Sequence, residues 1–168
     1  MDREHIVYIS VGSNLGHKRR NCSEGLAALS RSDASRLLTV SPYYCTEPVD
    51  YTEQDWFINA VAEIATLHEP LELLVELQRI QQQAGRYGDA VRFGPRTLDL
   101  DILLFDDLVL MSADLVIPHP RMHKRHFVLK PFCDIDPHII HPVLGRSIQS
   151  LLDGLDTEAQ RIRPYPCE

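Results

Sequence analysis

The stretch Phe93-Gly-Pro-Arg-Thr-Leu-Asp-Leu-Asp-Ile-Leu-Leu-Phe105 decides how this chain is read. Gly94-Pro95 is a turn signal that the interior of a helix or strand does not tolerate. From Thr97 onward the segment is too apolar for a loop, and as a strand its side chains alternate between two faces. Leu98, Leu100, Ile102 and Leu104 then form one wholly apolar face. Asp99 and Asp101 stand side by side on the other, with Thr97 before them and Leu103 and Phe105 beyond. Neighbouring carboxylates repel, and a hard divalent cation is the usual way to offset that. The competing reading is a solvated pair, or one matched by Arg92 or Arg96. Three features favour the cation: the apolar strand continues past the pair, Arg96 lies just upstream, and a loop with an aromatic residue and glycine leads in.

Working outward toward the N-terminus, Arg86 to Phe93 reads as a loop bringing Arg86, Arg92 and Arg96 near the carboxylates. Before it, Pro70–Ala84 is a helix with Leu73, Leu77, Ile80 and Ala84 at core spacing, Pro70 in its first turn and Gly85 at its end. Gln78 and Gln81 share a face of it. Trp56–Thr66 reads as a strand with Phe57 and Asn59 on one face and Ile58, Ala60, Ala62 and Ile64 on the other. Glu47–Asp55 is a polar connection long enough to act as a binding loop. Arg36–Thr46 reads as one strand with Pro42 at an edge or bulge. A helix over about Arg19–Arg31 and a first strand, Ile6–Gly12, precede it. Gly12–Gly16 is a strand-to-helix turn; it lacks the spacing and the Gly-Lys-Ser/Thr ending of a P-loop.

Toward the C-terminus, Asp106-Asp107 turns the chain and Leu108–Met111 is expected to pair with the Asp strand. A basic cluster, Arg121 to His126, leads into a helix of about Phe127–Cys133, and Ser147–Leu155 forms a terminal helix. The order β-α-β-β-α-β with later additions suits an antiparallel sheet with helices on one face. Phe57, Asn59, Asp99 and Asp101 would then share the opposite face, a binding surface on rigid strands closed by loops.

The 168 residues suit one domain, taken here as 1–168. A net charge of -7 argues against nucleic acid as a partner. It leaves room for a phosphate ligand, because a bound cation and a few arginines invert the field inside one cleft. Cys22, Cys45, Cys133 and Cys167 show neither a zinc nor a disulfide spacing, and four reduced thiols in a cytoplasmic protein are expected. No segment reads as a signal peptide or a membrane span.

His119, His123 and His126 match no established zinc spacing, and Lys124 and Arg125 beside them disfavour a cation. His119, between two prolines, reads as a neutral hydrogen-bonding group. Phe57 and Phe127 are either core or the walls of a slot for a flat ring, and Asn59 offers donors and an acceptor to a heterocycle edge. Together these parts suggest phosphoryl-type transfer onto a planar substrate.

The segment Phe93–Ile102, with Gly12-Ser-Asn-Leu-Gly16 and Ile117-Pro-His-Pro-Arg-Met-His123, resembles the 6-hydroxymethyl-7,8-dihydropterin pyrophosphokinase family. The resemblance runs from Tyr8 to about Leu152, and the Gly-Pro-Arg-Thr-Leu-Asp-x-Asp signature is highly specific. It implies an α+β, ferredoxin-like βαββαβ fold, with extra C-terminal helices and active-site loops on the face opposite the main helices. It implies transfer of the β,γ-diphosphate of ATP to the pterin's hydroxymethyl oxygen, releasing AMP, in folate biosynthesis. Asp99 and Asp101 would hold two Mg²⁺, and Arg86 and Arg96 would join them as catalytic residues and phosphate contacts. Thr46, Val49, Phe57, Asn59 and Phe127 would bind the pterin; Gln78, Ile102, His119 and Arg125 would help hold ATP. The partners implied are these two small molecules, without a membrane, and the protein is expected to act as a monomer. Gln81, Gly88, Phe93 and Pro120 depart from the best-known bacterial pattern, and the second loop arginine is missing at Gly88. The rival readings are a magnesium-dependent phosphohydrolase and an inactive pterin-binding module.

Overall fold

The structure, a computed structural model, describes residues 3–49, 52–85 and 95–166. In chain order its main elements are β1 (His5–Ser13), α1 (Lys18–Leu29), β2 (Ser35–Val40), β3 (Tyr44–Thr46), β4 (Phe57–Thr66), α2 (Pro70–Gln83) and β5 (Asp99–Phe105). These are followed by β6 (Leu110–Met111), β7 (Val116–Ile117), a 3-10 turn (Met122–Lys124), α3 (His126–Ile135), α4 (Ile148–Asp153) and β8 (Ile162–Pro164). The principal sheet is antiparallel and runs β5-β1-β4-β3-β8, with β2 also paired to β4. Mixed helix and antiparallel sheet make this an α+β fold. Among the described residues no helix is long and apolar enough to cross a membrane.

The periodicities expected from sequence explain most of this. α2 starts at Glu69, whose side chain and that of Glu72 form a reciprocal capping box, with Pro70 as the first helical residue. Leu73, Leu77 and Ile80 are its buried stripe, and Gly85 closes it at φ 104°, where only glycine is unstrained. α1 and α2 cover one face of the sheet over Val7, Ile9, Val11, Ala60, Ala62, Ile64, Leu98, Leu100 and Ile102. Gly25 lets α1 approach Leu98 closely, since a Cβ there would meet Leu98 Cδ2 at 2.6 Å. On the other face α3 and α4 pack over Tyr8, Val61, Leu103 and Leu104.

Four expectations are corrected. First, the alternation along β5 breaks: Ile9 pairs with Ile102 but Tyr8 with Leu104, so Leu103 is an inserted residue. Beyond this bulge the phase inverts, putting Leu104 with Leu103 under α3 and returning Phe105 to the α1–α2 side. Second, Arg36–Thr46 is two strands. Pro42 has no N–H to donate, and Ser41 takes over the pairing: its N–H donates to Val61 O at 2.9 Å and its Oγ accepts from Val61 N at 2.9 Å. Third, β6 pairs with β7 and not with the Asp strand. Fourth, Cys45 is disulfide-bonded while Cys22 and Cys133 are free, so the expected four reduced thiols are not what the structure contains. Burial pushes the Cys22 thiol up to about 12 and the Cys133 thiol up to about 11, as befits structural thiols.

Candidate active site

β1 is the central strand between β4 and β5, and its Gly12 lies opposite Asn59 on one side and Asp99 on the other. Asn59, Gly12 and Asp99 therefore form one row across three strands, on the face away from α1 and α2. Ser10 repeats the arrangement one pleat further on, between Val61 and Asp101. The expected juxtaposition of Asn59 with the carboxylate pair is thus present. Gly12 is needed where it is, because a Cβ there would collide with Asn59 Oδ1. Asn59 is buried, and its Nδ2 donates to Thr46 Oγ1 at 2.6 Å. Thr46 thus contributes its side-chain hydroxyl to holding Asn59.

Asp99 and Asp101 are half-buried at the start of β5. Among the described residues, no cluster of three or more His, Cys, Asp or Glu could hold a metal ion. Two hard oxygen donors without a protein cage fit magnesium, which keeps several waters and completes its octahedron with substrate phosphates.

β5 is an edge strand, and its exposed backbone is occupied by functional neighbours. Between the two aspartates, Leu100 N–H donates to Oε1 of Gln81 at 3.1 Å, while Gln81 Nε2 donates to Leu77 O at 3.1 Å. Gln81, one of the departures from the bacterial pattern, is buried and ties the Asp strand to α2. At the bulge, the carbonyl of Leu103 accepts the N–H of His119 at 2.9 Å. The irregularity that inverts the strand's phase thus also anchors His119.

Burial, then Arg125 and Arg121, push the His119 imidazole down to about 4, against the opposing pull of Asp99. Its Nδ1 accepts the N–H of Arg121 at 3.1 Å, so the neutral ring carries its proton on Nε2. His119, Asp101, Ile102, Leu74 and Pro120 line part of a cavity of about 260 Å³ beside the carboxylates. Gln78 is exposed on α2 and is not on that wall.

Phe57 and Phe127 are both half-buried, one opening β4 and the other in the first turn of α3. The Arg125 guanidinium lies 5.4 Å from the Phe127 ring centroid. Val49 is half-buried at the end of its described segment. Arg86, Arg92, Gly88 and Phe93 lie outside the described residues.

Arg96 reveals a residue that sequence reasoning passed over. Asn14 is 1% exposed; its Oδ1 accepts Arg96 N–H at 2.7 Å and its own N–H donates to Arg96 O at 3.0 Å. Its Nδ2 donates to Gln54 Oε1 at 2.8 Å and to Asp55 O at 3.2 Å. Asn14 lies just past the end of the central strand, so it reaches both the connection entering β4 and the segment entering β5. The available signal was an asparagine at the end of the first strand, in the short turn into α1.

The 7,8-dihydro-6-hydroxymethylpterin-pyrophosphokinase family profile matches residues 8–137. The 2-amino-4-hydroxy-6-hydroxymethyldihydropteridine pyrophosphokinase of Pseudomonas aeruginosa is 43% identical over 146 residues, covering 87% of this chain and 89% of that protein. Folic acid synthesis protein fol1 of Schizosaccharomyces pombe is 39% identical over 160 residues, which span 95% of this chain and 22% of that longer protein. A Plasmodium falciparum HPPK-DHPS structure with pteroate shares the fold at a TM-score of 0.71 and 16% identity, over 90% of this chain and 43% of that one. With the family match covering most of its length and the Asn59–Gly12–Asp99 row in place, this chain belongs to the 7,8-dihydro-6-hydroxymethylpterin-pyrophosphokinase family.

Proposed function

We propose that this chain transfers the β,γ-diphosphate of ATP to the hydroxymethyl oxygen of 6-hydroxymethyl-7,8-dihydropterin in folate synthesis. The observation that carries this reading is the row of Asn59, Gly12 and Asp99, which sets a heterocycle-reading amide beside a carboxylate pair. The strand order β5-β1-β4-β2 in the βαββαβ portion supports a ferredoxin-like core. The protein is proposed to act as a monomer in the cytoplasm.

The pterin lies along Phe57 and Phe127, with Asn59 and the Thr46–Val49 segment at its edge. ATP extends from the cavity beside His119 and Ile102 toward Asp99 and Asp101, with Gln78 and Arg125 at its outer side. The hydroxymethyl oxygen attacks the β-phosphorus, the bond from that phosphorus to the α,β-bridging oxygen breaks, AMP leaves, and the hydroxyl proton passes to solvent. Asp99 and Asp101 would hold two Mg²⁺, which supply charge neutralisation on the phosphates and acidify the attacking hydroxyl. Arg86 and Arg96 contact the phosphates. His119, neutral and protonated on Nε2, donates a hydrogen bond and is not a base.

A phosphohydrolase would use the same carboxylates with water, and an inactive module would bind pterin without turnover; the ring-reading face disfavours the first and the intact carboxylate pair the second. AMP release from MgATP, measured with and without the pterin, separates the three. The expected outcome is pterin-dependent AMP formation that drops at least about 100-fold in Asp99→Ala. Pterin-independent ATP turnover, or full activity of the variant, would overturn the assignment.

A further inference from the structure

The C-terminal segment around β8 lies beyond the family match, which ends at residue 137. It nevertheless hooks onto both sides of the proposed pterin slot through two consecutive residues. Gln160 grips the start of α3: its Oε1 accepts His126 N–H at 3.0 Å, its Nε2 donates to Lys124 O at 2.9 Å, and its own carbonyl is 2.7 Å from His126 Nδ1. Those contacts bracket Arg125 and adjoin Phe127. Arg161 grips the opposite side: its carbonyl accepts Glu47 N–H at 2.9 Å and its Nε donates to Glu47 Oε2 at 2.7 Å. The guanidinium groups of Arg161 and Arg163 lie 5.4 and 5.3 Å from the centroid of the Trp56 ring, next to Phe57. Ile162 then pairs with Thr46, the residue that holds Asn59.

We propose that residues 160–163 form a strap that sets the separation between the Phe127 side and the Thr46–Phe57 side of the slot, with Gln160 and Arg161 as positioning residues for pterin binding. The argument is geometric. α3 and the β3–β4 edge are distant in sequence, and a flat-ring slot depends on the spacing of its walls to a fraction of an ångström. A carboxamide that satisfies a backbone donor and a backbone acceptor at once has little freedom to shift. Its immediate neighbour on the chain is fixed to the other wall by one backbone bond and one charged pair. Movement of either wall is therefore transmitted through a single peptide unit. Neither residue lines the cavity beside His119; Gln160 also brackets Arg125 on the nucleotide's outer side, whereas the Arg161 contacts fall on the pterin side alone.

This inference rests on the proposed pterin chemistry, and its test separates the two. Trp56 is the one tryptophan of the chain, so its fluorescence reports the slot directly. Titration of the full chain with 6-hydroxymethyl-7,8-dihydropterin, in the presence of magnesium and a non-hydrolysable ATP analogue, is compared for wild type, Gln160→Ala and Arg161→Met. Loss of the two carboxamide bonds is expected to raise the pterin Kd about 10-fold in Gln160→Ala. The exposed ion pair is worth less, so Arg161→Met is expected to raise it about 3-fold. In steady state the pterin KM rises with the Kd in both variants, while in Arg161→Met the KM for ATP stays within about 2-fold, a split that general destabilisation does not produce. Pterin affinity unchanged in both variants overturns the strap alone; equal rises in both KM values of Arg161→Met do the same. A wild type that binds no pterin overturns the proposed function and the strap with it. If Gln160→Ala fails to fold, Arg161→Met decides the outcome.

Discussion

Gly12 shows how much of the site depends on one missing atom. Its Cα lies between Asn59 and Asp99, and the Asn59 carboxamide occupies the space a side chain would need. Gly12→Ala is expected to displace Asn59 from Thr46 and to raise the pterin KM about 10-fold or more, with folding retained by circular dichroism. His119 carries the clearest pH dependence. Its folded-state value of about 4 lies below the ordinary 6.5, so the unfolded chain takes up this proton first. The neutral ring's contribution to stability is present above pH 6.5 and is lost as pH falls toward 4. Thermal denaturation across that window is expected to show a shallower acid decline in His119→Asn than in wild type. Burial and the flanking arginines hold the His119 ring below its ordinary value, so activity changes near neutral pH are expected to originate elsewhere.

At the level of elements, β5 does more than present two carboxylates. Its free edge is satisfied by Gln81 between the aspartates and by His119 at the bulge. Gln81→Leu leaves the Leu100 N–H without that acceptor inside the core. It is expected to lower stability by about 1–3 kcal/mol, read from urea denaturation, and to lower kcat by loosening the Asp99–Asp101 spacing. The bulge at Leu103 belongs to the same design: it turns a carbonyl toward His119 and shifts Leu104 under α3. α1 and α2 hold one face of the sheet, while α3 and α4 cover the far half of the other, leaving its loop end for Phe57, Asn59 and the carboxylates.

Over the whole molecule the balance of charge is unfavourable for a polyphosphate substrate. The net charge of -7 and the carboxylate pair at the proposed reaction centre both oppose the approach of ATP. A cation carried in with the nucleotide reverses that field locally. Removal of divalent cations with a chelator is expected to abolish AMP release, and added magnesium to restore it. Undiminished turnover after chelation would show that Asp99 and Asp101 serve another purpose.

The sequence by itself determined the local periods and the chemistry hung on them. Alternation in Thr97–Phe105 and Trp56–Thr66 placed Asp99, Asp101, Phe57 and Asn59 on one side, and the stripe in Pro70–Ala84 identified α2, because strand and helix periods are properties of neighbouring residues. The Gly-Pro-Arg-Thr-Leu-Asp-x-Asp signature pointed to the family. Only the tertiary structure decided what depends on register between distant segments. It placed Gly12 between Asn59 and Asp99, inserted Leu103 and so reversed Leu104 and Phe105, and split Arg36–Thr46 at Pro42. It paired β6 with β7, brought Asn14 against Gln54, Asp55 and Arg96, and tied Gln160 to the start of α3 and Arg161 to Glu47. A bulge is set by the partner strand, and a hydrogen bond spanning many residues leaves no period in the chain. The carboxylates of Asp99 and Asp101 were therefore readable in the sequence, and the framework that holds them became visible only in the fold.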